Sequence, residues 1–584
     1  ARAAGLGTTG FTGSGVQVRT VQRLEDRFIL AREISSASSL SRIESFHAVA
    51  QATDALLSDS ATGLGGSLTG FFDSLAALAA NPASGATRQG VLAAAGTLAG
   101  RFNDLQLQLD TSEQTINDQL MQGVAEINQF GESIAALNVR IAEAIGSSGG
   151  QAPNDLLDQR EQLLRELAQR VSVSTVAQDD GSLNVSIANG QSLVLGASAS
   201  RLGVTRNEFN AQRVEITAGT AVISSQLGGG TLGGLLDARR ELLDPARQSL
   251  GRIAIAVTEA VNQQQAQGVD QYGNFGTPVF APLAGQASAS VNNQGNAQVT
   301  VAFGDTSQLR DQQYLLRFDG SAYSLKDAKS GASIALSGSG SAADPFLADG
   351  LQLTLSGTAV AGDRFSIQPG AKAAGQVQLL LKQASGLAAA APIRAAAALA
   401  NTGSGRISGG SVVDASDANL RSTARIEFTS SNSYSVNGSG SYPYTAGSAI
   451  SFNGWSVAIT GAPSAGDAFE ITATAANSSD ARNAQALSGL VSKALLDGGL
   501  NSITAAHARL VGQVGSNARQ AGLQLDAQTT LNDQTSAARN ALSGVNLDEE
   551  AADLLRYQQA YQAAAQIIAT AGTVFDTLLA AIRR

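Results

Sequence analysis

Residues 544–584 read GVNLDEEAADLLRYQQAYQAAAQIIATAGTVFDTLLAAIRR, and this stretch decides the architecture that we expect for the chain. It contains no proline, and large apolar residues recur at every seventh position, which keeps side chains on one face of a helix. A helix of this length spans about 55 Å. We expect its apolar stripe to need a partner that covers it. The heptad positions are Leu547, Leu554, Tyr561, Ile568, Phe575 and Ile582.

A second row of residues lies three positions after the first, and small residues flank both rows. Most apolar heptads belong to the core of their own domain, and that alternative stays open here. The length and continuity of this stripe, with small residues that permit close helix approach, favour contact with another molecule. We therefore expect the segment after about Asn546 to be poorly packed in an isolated subunit. The predicted subunit-interface residues are Leu547, Leu554, Leu555, Tyr557, Tyr561, Ile568, Phe575, Leu578, Leu579 and Ile582.

Composition limits the classes of protein that this chain can belong to. Its 584 residues are 43% apolar, enough for several domains, but only 15% are charged, against a usual share of about 25%. The net charge of −10 would repel a phosphate backbone, so we expect no nucleic-acid partner. The absence of cysteine excludes disulfides, thiolate nucleophiles and cysteine metal ligands.

The sequence shows no targeting or membrane segment. No window of about 18 uniformly apolar residues is found, so we expect no transmembrane helix and no membrane partner. The first residues, ARAAGLGTTG, lack the apolar region of a cleaved secretory signal. Because they also lack an initiator methionine, we expect this chain to be a fragment of a longer protein.

The periodicity changes from helical to β and back to helical along the chain. The simplest packing brings the two helical ends together, since each carries an apolar stripe. The predicted fold is a multidomain α+β protein, with an elongated, coiled-coil-like helical rod formed from both chain ends and inserted β-rich domains. The predicted divisions are an extended segment (1–20), a helical domain (21–170), a small β insertion (171–225), a helical continuation (226–268), a first β domain (269–370), an Ala-rich connector (371–404), a second β domain (405–476), a returning helical part (477–545) and a C-terminal axial helix (546–584).

The two β domains contain an internal repeat with an offset of 104 residues. GLQLTLSGTAVAGDRFSIQ begins at Gly350 and GWSVAITGAPSAGDAFEIT begins at Gly454. In both copies an Ala-Gly-Asp turn links two alternating strands, which predicts a hairpin with one apolar face. We therefore expect two copies of one β module.

No pattern of reactive residues indicates catalysis. The two histidines, His47 and His507, lie in helical segments outside any ligand or base motif. A GxGxxG pattern at Gly228–Gly233 follows a strand, but no second strand with an acidic end comes next, as a dinucleotide site requires. We interpret it as a flexible strand-to-helix connection. The sequence therefore predicts no enzyme, and no catalytic, cofactor-binding or metal-binding residues.

Several stretches resemble a known family. Residues 546–579 are similar to the terminal helix of bacterial flagellar axial proteins, and four further stretches narrow the resemblance to the family of flagellar hook-associated protein 1. Together these stretches hold about a quarter of the residues. That family begins with another apolar helix and an Asn-rich motif, which this chain lacks, in keeping with a fragment. The four stretches are 10–32, 71–105, 134–144 and 153–196.

The resemblance implies a structural protein of the bacterial flagellum at the junction between hook and filament. It implies export through the flagellar type III channel without a cleaved signal, and hence an extracellular location. The partners that it implies are further copies in a ring, the hook protein, the second hook-associated protein and a cytosolic export chaperone at the C-terminal helix.

Two alternatives remain at this point. Flagellin and the second junction protein share such helical ends, although residues 71–196 argue against both. A different class is an extracellular carbohydrate-binding or adhesin-like protein built on repeated β modules. In that case exposed aromatic residues of the second module would stack on sugars. The candidates are Trp455, Tyr434, Tyr442 and Tyr444.

Overall fold

The computed structural model describes residues 26–60, 63–148, 151–543 and 547–582. The predicted extended segment 1–20 lies outside these residues. Helices are followed by strands and then by helices again, as the sequence predicts. The helices are α1 (Arg27–Ser58), α2 (Leu64–Ala80), α3 (Gly85–Ser147), α4 (Asn154–Arg170), α5 (Gly230–Ala238), α6 (Asp244–Ala266), α7 (Arg482–Gly489), α8 (Ile503–Ser543) and α9 (Leu547–Ile582).

The spine of the helical body is α3, whose 63 residues extend over about 95 Å. Ser84 caps its first turn, because the hydroxyl oxygen accepts a hydrogen bond from the Thr87 amide at 3.4 Å. An apolar stripe runs along the helix and is buried against α2, α4 and the strands that follow. It includes Val91, Leu98, Phe102, Leu105, Leu109, Ile116, Leu120, Ile127, Ile134 and Ile141.

Helices α1 and α8, from the first and the returning helical parts of the chain, lie side by side. Helix α8 runs antiparallel to α1, and polar contacts between the two helices show which residues lie opposite each other. Gln528 donates to the Ser36 carbonyl at 3.2 Å, and Arg539 pairs with Glu33 at 3.0 Å. The rod of the predicted fold is therefore built from residues nearly five hundred positions apart.

A small β insertion packs against one side of α3. Asp180-Gly181 and Asn189-Gly190 form its predicted tight turns, and both glycines adopt positive φ. The strands form two antiparallel sheets, in the orders β1-β2-β3-β4 and β5-β6-β7. They are β1 (Val173–Ala177), β2 (Leu183–Ile187), β3 (Gln191–Leu195), β4 (Ser198–Ala199), β5 (Leu202–Arg206), β6 (Val214–Ala218) and β7 (Ala221–Val222).

Three asparagines of α3 fasten this insertion. Asn138 donates to the carbonyls of Leu183 and Gly196, each at 2.8 Å. Asn128 exchanges two hydrogen bonds with the backbone of Leu202, and Asn117 binds the segment before β6 in the same way. Each amide serves backbone groups that would otherwise be buried without partners.

The Gly-rich segment before α5 is a close-packed turn rather than a flexible connection. Gly229 and Gly230 have φ values of 67° and 59°, which favour glycine. A Cβ on Gly230 would overlap the backbone of Arg170 and Val171. After α5 the helix passes through a π segment, Arg239–Leu243, before it continues as α6.

Two β modules carry the internal repeat, and each consists of two antiparallel sheets. Module 1 has sheets β12-β11-β10-β15-β8 and β13-β14-β9. Its strands are β8 (Gln286–Ala289), β9 (Gln298–Phe303), β10 (Tyr314–Phe318), β11 (Tyr323–Asp327), β12 (Ser333–Ile334), β13 (Phe346–Ala348), β14 (Leu351–Ser356) and β15 (Arg364–Gln368).

Module 2 repeats this arrangement strand for strand. Its larger sheet has the order β16-β24-β19-β20-β21, and its smaller sheet the order β17-β23-β18 with β22 also paired to β23. Strands β17 and β18 together take the place of β9, because they pair with the two ends of β23 as β9 pairs with β14. The strands are β16 (Ile393–Ala397), β17 (Arg406–Ile407), β18 (Ser411–Val412), β19 (Ala424–Ser430), β20 (Ser433–Val436), β21 (Ser439–Pro443), β22 (Ala449–Phe452), β23 (Trp455–Thr460) and β24 (Ala468–Ala473).

A buried aspartate holds the same turn in both modules. Asp363 accepts hydrogen bonds from the amides of Val360, Gln294 and Gly295. Asp467, 104 positions later, likewise accepts from three backbone amides. These bonds, led by the one from Val360, lower the pKa of the Asp363 carboxyl below its ordinary value. The repeated Gly-Asp pair is thus a structural turn, not a surface ligand.

The apolar core is divided between two clusters. One runs continuously through the helices and module 1. The other belongs to module 2 alone and is centred on Trp455, the single tryptophan of the chain, which is fully buried.

Two stretches differ from the predicted organisation. The Ala-rich stretch 371–404 was expected to be a connector, but β16 within it pairs with β24 and belongs to module 2. Its earlier part lies along α3, where Asn103 and Arg88 donate to the carbonyls of Val377 and Leu387. The predicted helical part 477–545 contains a short hairpin, β25 (Ala494–Leu496) and β26 (Asn501–Ser502).

Candidate assembly interface

Helix α9 is an exposed amphipathic helix. From Glu550 to Ile582 every side chain is exposed except that of Asp553, which is half-buried. The predicted stripe is therefore uncovered: Phe575 is 65% exposed and Tyr561 is 77% exposed. No element among the described residues covers this row.

Most of the predicted interface residues share one side of α9, but Leu555 lies twenty positions before Phe575, about 5.5 turns away, and so faces the other way. Leu547 begins the helix, and its side chain lies outside the described part of the chain. Ile567 and Val574 widen the stripe, and sequence analysis missed them because they precede the heptad positions Ile568 and Phe575 by one residue. The other exposed predicted residues are Leu554, Leu555, Tyr557, Tyr561, Leu578, Leu579 and Ile582.

The opposite side of α9 is polar but carries little charge. Gln566 lies nine positions before Phe575, about 2.5 turns away, and so faces the other way. Thr570 and Thr573 lie on this side and donate to carbonyls one turn earlier, at 2.8 and 2.9 Å. The helix thus combines a broad apolar face with an amide and hydroxyl face, a pattern typical of helices that pack on one side.

This helix also corrects the prediction about membrane segments. Residues Glu550–Ile582 are long and apolar enough to cross a bilayer by length and composition. One helix of such length and composition is by itself weak evidence for a membrane-spanning segment. Its glutamine- and threonine-rich side would expose unpaired amides to lipid, which is costly.

The aromatic residues proposed for sugar stacking are mostly core residues. Trp455 is fully buried, and Tyr434 is buried beneath Tyr442, with ring centroids 5.5 Å apart. The Tyr444 hydroxyl donates to the carbonyls of Ile459 and Gly461. Only Tyr442 of the four is exposed, so they form no flat platform for a sugar.

A polar cleft beside the π segment is lined by paired charges. Glu113 of α3 binds Arg213 at 3.0 Å and also pairs with Arg247. Burial disfavours its charged form, but the two guanidinium groups overcome that effect and lower the pKa of Glu113 to about 2. Arg213 also pairs with Asp244. The cluster therefore joins the β insertion to the helices.

The two histidines and the possible metal ligands can be located in the structure as well. His47 lies in α1 and His507 in α8, both half-buried, and burial lowers the pKa of His507. Within residues 26–60, 63–148, 151–543 and 547–582, no group of three or more His, Asp or Glu side chains is arranged to hold a metal ion.

Comparisons with protein families match three parts of the chain. Residues 50–280 match the model described as the flagellar hook-associated protein FlgK helical domain. Residues 287–369, which contain module 1, match that of flagellar hook-associated protein 1, D2-like domain. Residues 539–581, which include most of α9, match that of flagellar basal body rod FlgEFG protein C-terminal.

Whole-chain relatives agree with these matches. Flagellar hook-associated protein 1 of Escherichia coli (strain K12) is 29% identical over 580 residues, which is 98% of this chain and 91% of the relative. That of Salmonella typhimurium is 29% identical over 581 residues, with the same coverage. The structure of the flagellar hook junction protein FlgK from Burkholderia pseudomallei is 30% identical, covers 87% of this chain and 99% of that one, and has a TM-score of 0.79. This chain therefore belongs to the flagellar hook-associated protein 1 (FlgK) family.

Proposed function

We propose that this chain is a structural subunit of the flagellar junction between hook and filament, and that α9 joins it to neighbouring subunits along the axis. The observation that carries the proposal is the uncovered apolar stripe of α9 at one end of a helical rod. The rod and module 1 share one core. In the part of the chain that the structure describes, the subunit thus offers one packed body and one exposed apolar helix.

The free energy available from α9 is large compared with the stability of a domain. Five described heptad residues, from Leu554 to Ile582, are each more than half exposed. Full burial of a large apolar side chain stabilises by about 1.5–3 kcal/mol, so covering the stripe is worth on the order of 10 kcal/mol. Domains themselves are stable by about 5–15 kcal/mol. Assembly through α9 can therefore be as strong as folding.

The proposed partners are further copies of this chain in a ring, with the hook protein on one side and the second hook-associated protein on the other. The match of residues 539–581 to the C-terminal segment of rod proteins supports an axial contact of the same kind. The small residues Ala564, Ala571 and Gly572 would let the helices approach closely.

The proposal includes export without a cleaved signal to an extracellular position on the flagellum. Before assembly the stripe of α9 would be covered by a cytosolic export chaperone, since a free apolar face of this size promotes aggregation. No residue is assigned a catalytic role, because the relatives are hook-associated proteins.

The proposal is tested with a charge placed on either side of α9. Phe575→Asp puts a carboxylate in the centre of the stripe, and Gln566→Asp puts the same group on the opposite side. We expect the first variant to lose chaperone capture in a pull-down and to lose incorporation into flagella, and the second to retain both. Both should keep the buried emission of Trp455, because α9 does not pack on module 2.

Equal capture and equal incorporation of the two variants would contradict the proposal. If Phe575→Asp changed the emission of Trp455, α9 would belong to the folded body, and the stripe would be ordinary core.

A further inference from the structure

The chain passes between the helical body and module 2 twice, at two neighbouring points that we call the crossings. Its first strand, β16, pairs with its last strand, β24, and Ile393 lies opposite Ala473. The core of module 2 is separate from the core of the helical body. Domains joined in this way move relative to each other unless their interface is large or specifically fastened.

Arg482 makes the strongest polar contacts between the crossings and the helical body. Arg482 is the first residue of α7, and its guanidinium donates to the carbonyls of Gly409, Gly410 and Ile393, all in module 2. The same group pairs with Asp480 at 2.6 Å. The planar guanidinium fork can reach several carbonyls at once, which a lysine ammonium cannot do from one position.

Helix α7 is itself anchored in the helical body. Ala484 and Leu487 are buried in the larger core. The Ala484 amide donates to the Ala389 carbonyl at 2.9 Å, and Asn483 binds both Gln264 of α6 and the Ala388 carbonyl. Arg482 therefore reaches from a fixed helix into module 2.

The second contact across the crossings is weaker. The guanidinium of Arg421 lies 5.9 Å from the ring centroid of Phe275, and the Asn477 amide donates to the Gln271 carbonyl at 2.8 Å. A cation–π contact at a partly exposed site is worth about 0.5–1 kcal/mol. Hydrogen bonds from a charged donor are about twice as strong as neutral ones, so the Arg482 cluster dominates.

We propose that Arg482 is a positioning residue that fixes the orientation of module 2 on the helical body, and that the two crossings act as a hinge once its guanidinium is removed. Module 2 would then be held at one fixed angle to the helical body. The inference is independent of how α9 assembles.

The test measures the distance between the two parts in the purified full chain. Since the protein has no cysteine, Gln108→Cys on α3 and Ser431→Cys in module 2 place one spin label on each part, both at exposed positions. The distance distribution is then compared between the parent and Arg482→Gln. The matched control is Arg425→Gln, because that arginine pairs with Glu427 and Glu470 within the sheet of module 2.

We expect Arg482→Gln to broaden the distance distribution and shift its maximum, and Arg425→Gln to leave it unchanged. Arg482→Lys should give an intermediate width, because the charge beside Asp480 remains but the fork is lost. Trp455 emission should be the same in all variants. A parent-like distribution for Arg482→Gln would overturn the proposal. A red-shifted Trp455 emission in that variant would also overturn it, since Arg482 would then serve the folding of module 2.

Discussion

Truncation of one stripe residue should weaken association without affecting the fold. Phe575→Ala removes a ring that is 65% exposed in the subunit, so the subunit loses little burial. In the assembly the exposed two-thirds of the ring would be covered, worth about 1–2 kcal/mol per contact. At about 1.4 kcal/mol per factor of ten, the association constant should fall about 5- to 30-fold.

The assay is sedimentation velocity over a concentration series, with thermal unfolding followed in parallel by far-ultraviolet circular dichroism. Gln566→Ala on the opposite side of α9 is the control, and we expect its association constant to match that of the parent. A fall in the melting temperature of Phe575→Ala would show that the ring is packed within the subunit. Unchanged association with an unchanged melting temperature would refute the assignment of the stripe as the interface.

Three further outcomes are expected from the folded body. Asp467→Asn should lower the melting temperature of module 2, read from Trp455 fluorescence. Backbone hydrogen bonds lower the pKa of Asp467 below 3.8. The difference in melting temperature from the parent should therefore shrink as the pH falls below that value. Gly230→Ala should destabilise the helical body in chemical denaturation more than Gly219→Ala, since both glycines have a φ of 59° but only Gly230 is enclosed by backbone. Glu113→Gln should cost about 1–3 kcal/mol of unfolding free energy in the same assay, because Arg213 and Arg247 lose one carboxylate partner but keep Asp244 and Asp110.

Local patterns in the sequence predict much of this fold. The Asp180-Gly181 turn follows from local backbone preference, and the repeat of the β modules follows from the matched Asp363 and Asp467 turns. The stripe of α9 is visible because a seven-residue spacing is a property of one helix alone. Each of these features depends on residues close together in the chain.

The features that sequence analysis missed depend on distant partners. Asn117, Asn128 and Asn138 read as ordinary polar residues of a long helix, and their roles appear only when the β insertion lies against them. Strand β16 is Ala-rich and becomes a strand because β24 supplies its hydrogen bonds. In the same way, nothing local to Arg482 indicates the three carbonyls that it binds.

The assignment of α9 as the helix that contacts neighbouring subunits is tested most directly by hydrogen exchange. In a dilute monomer we predict fast exchange of the amides of residues 550–582, because their helix has no tertiary packing to protect it. In assembled flagella the same amides should become strongly protected, while the amides of α3 should be protected in both states. Strong protection of residues 550–582 in the dilute monomer would contradict the account.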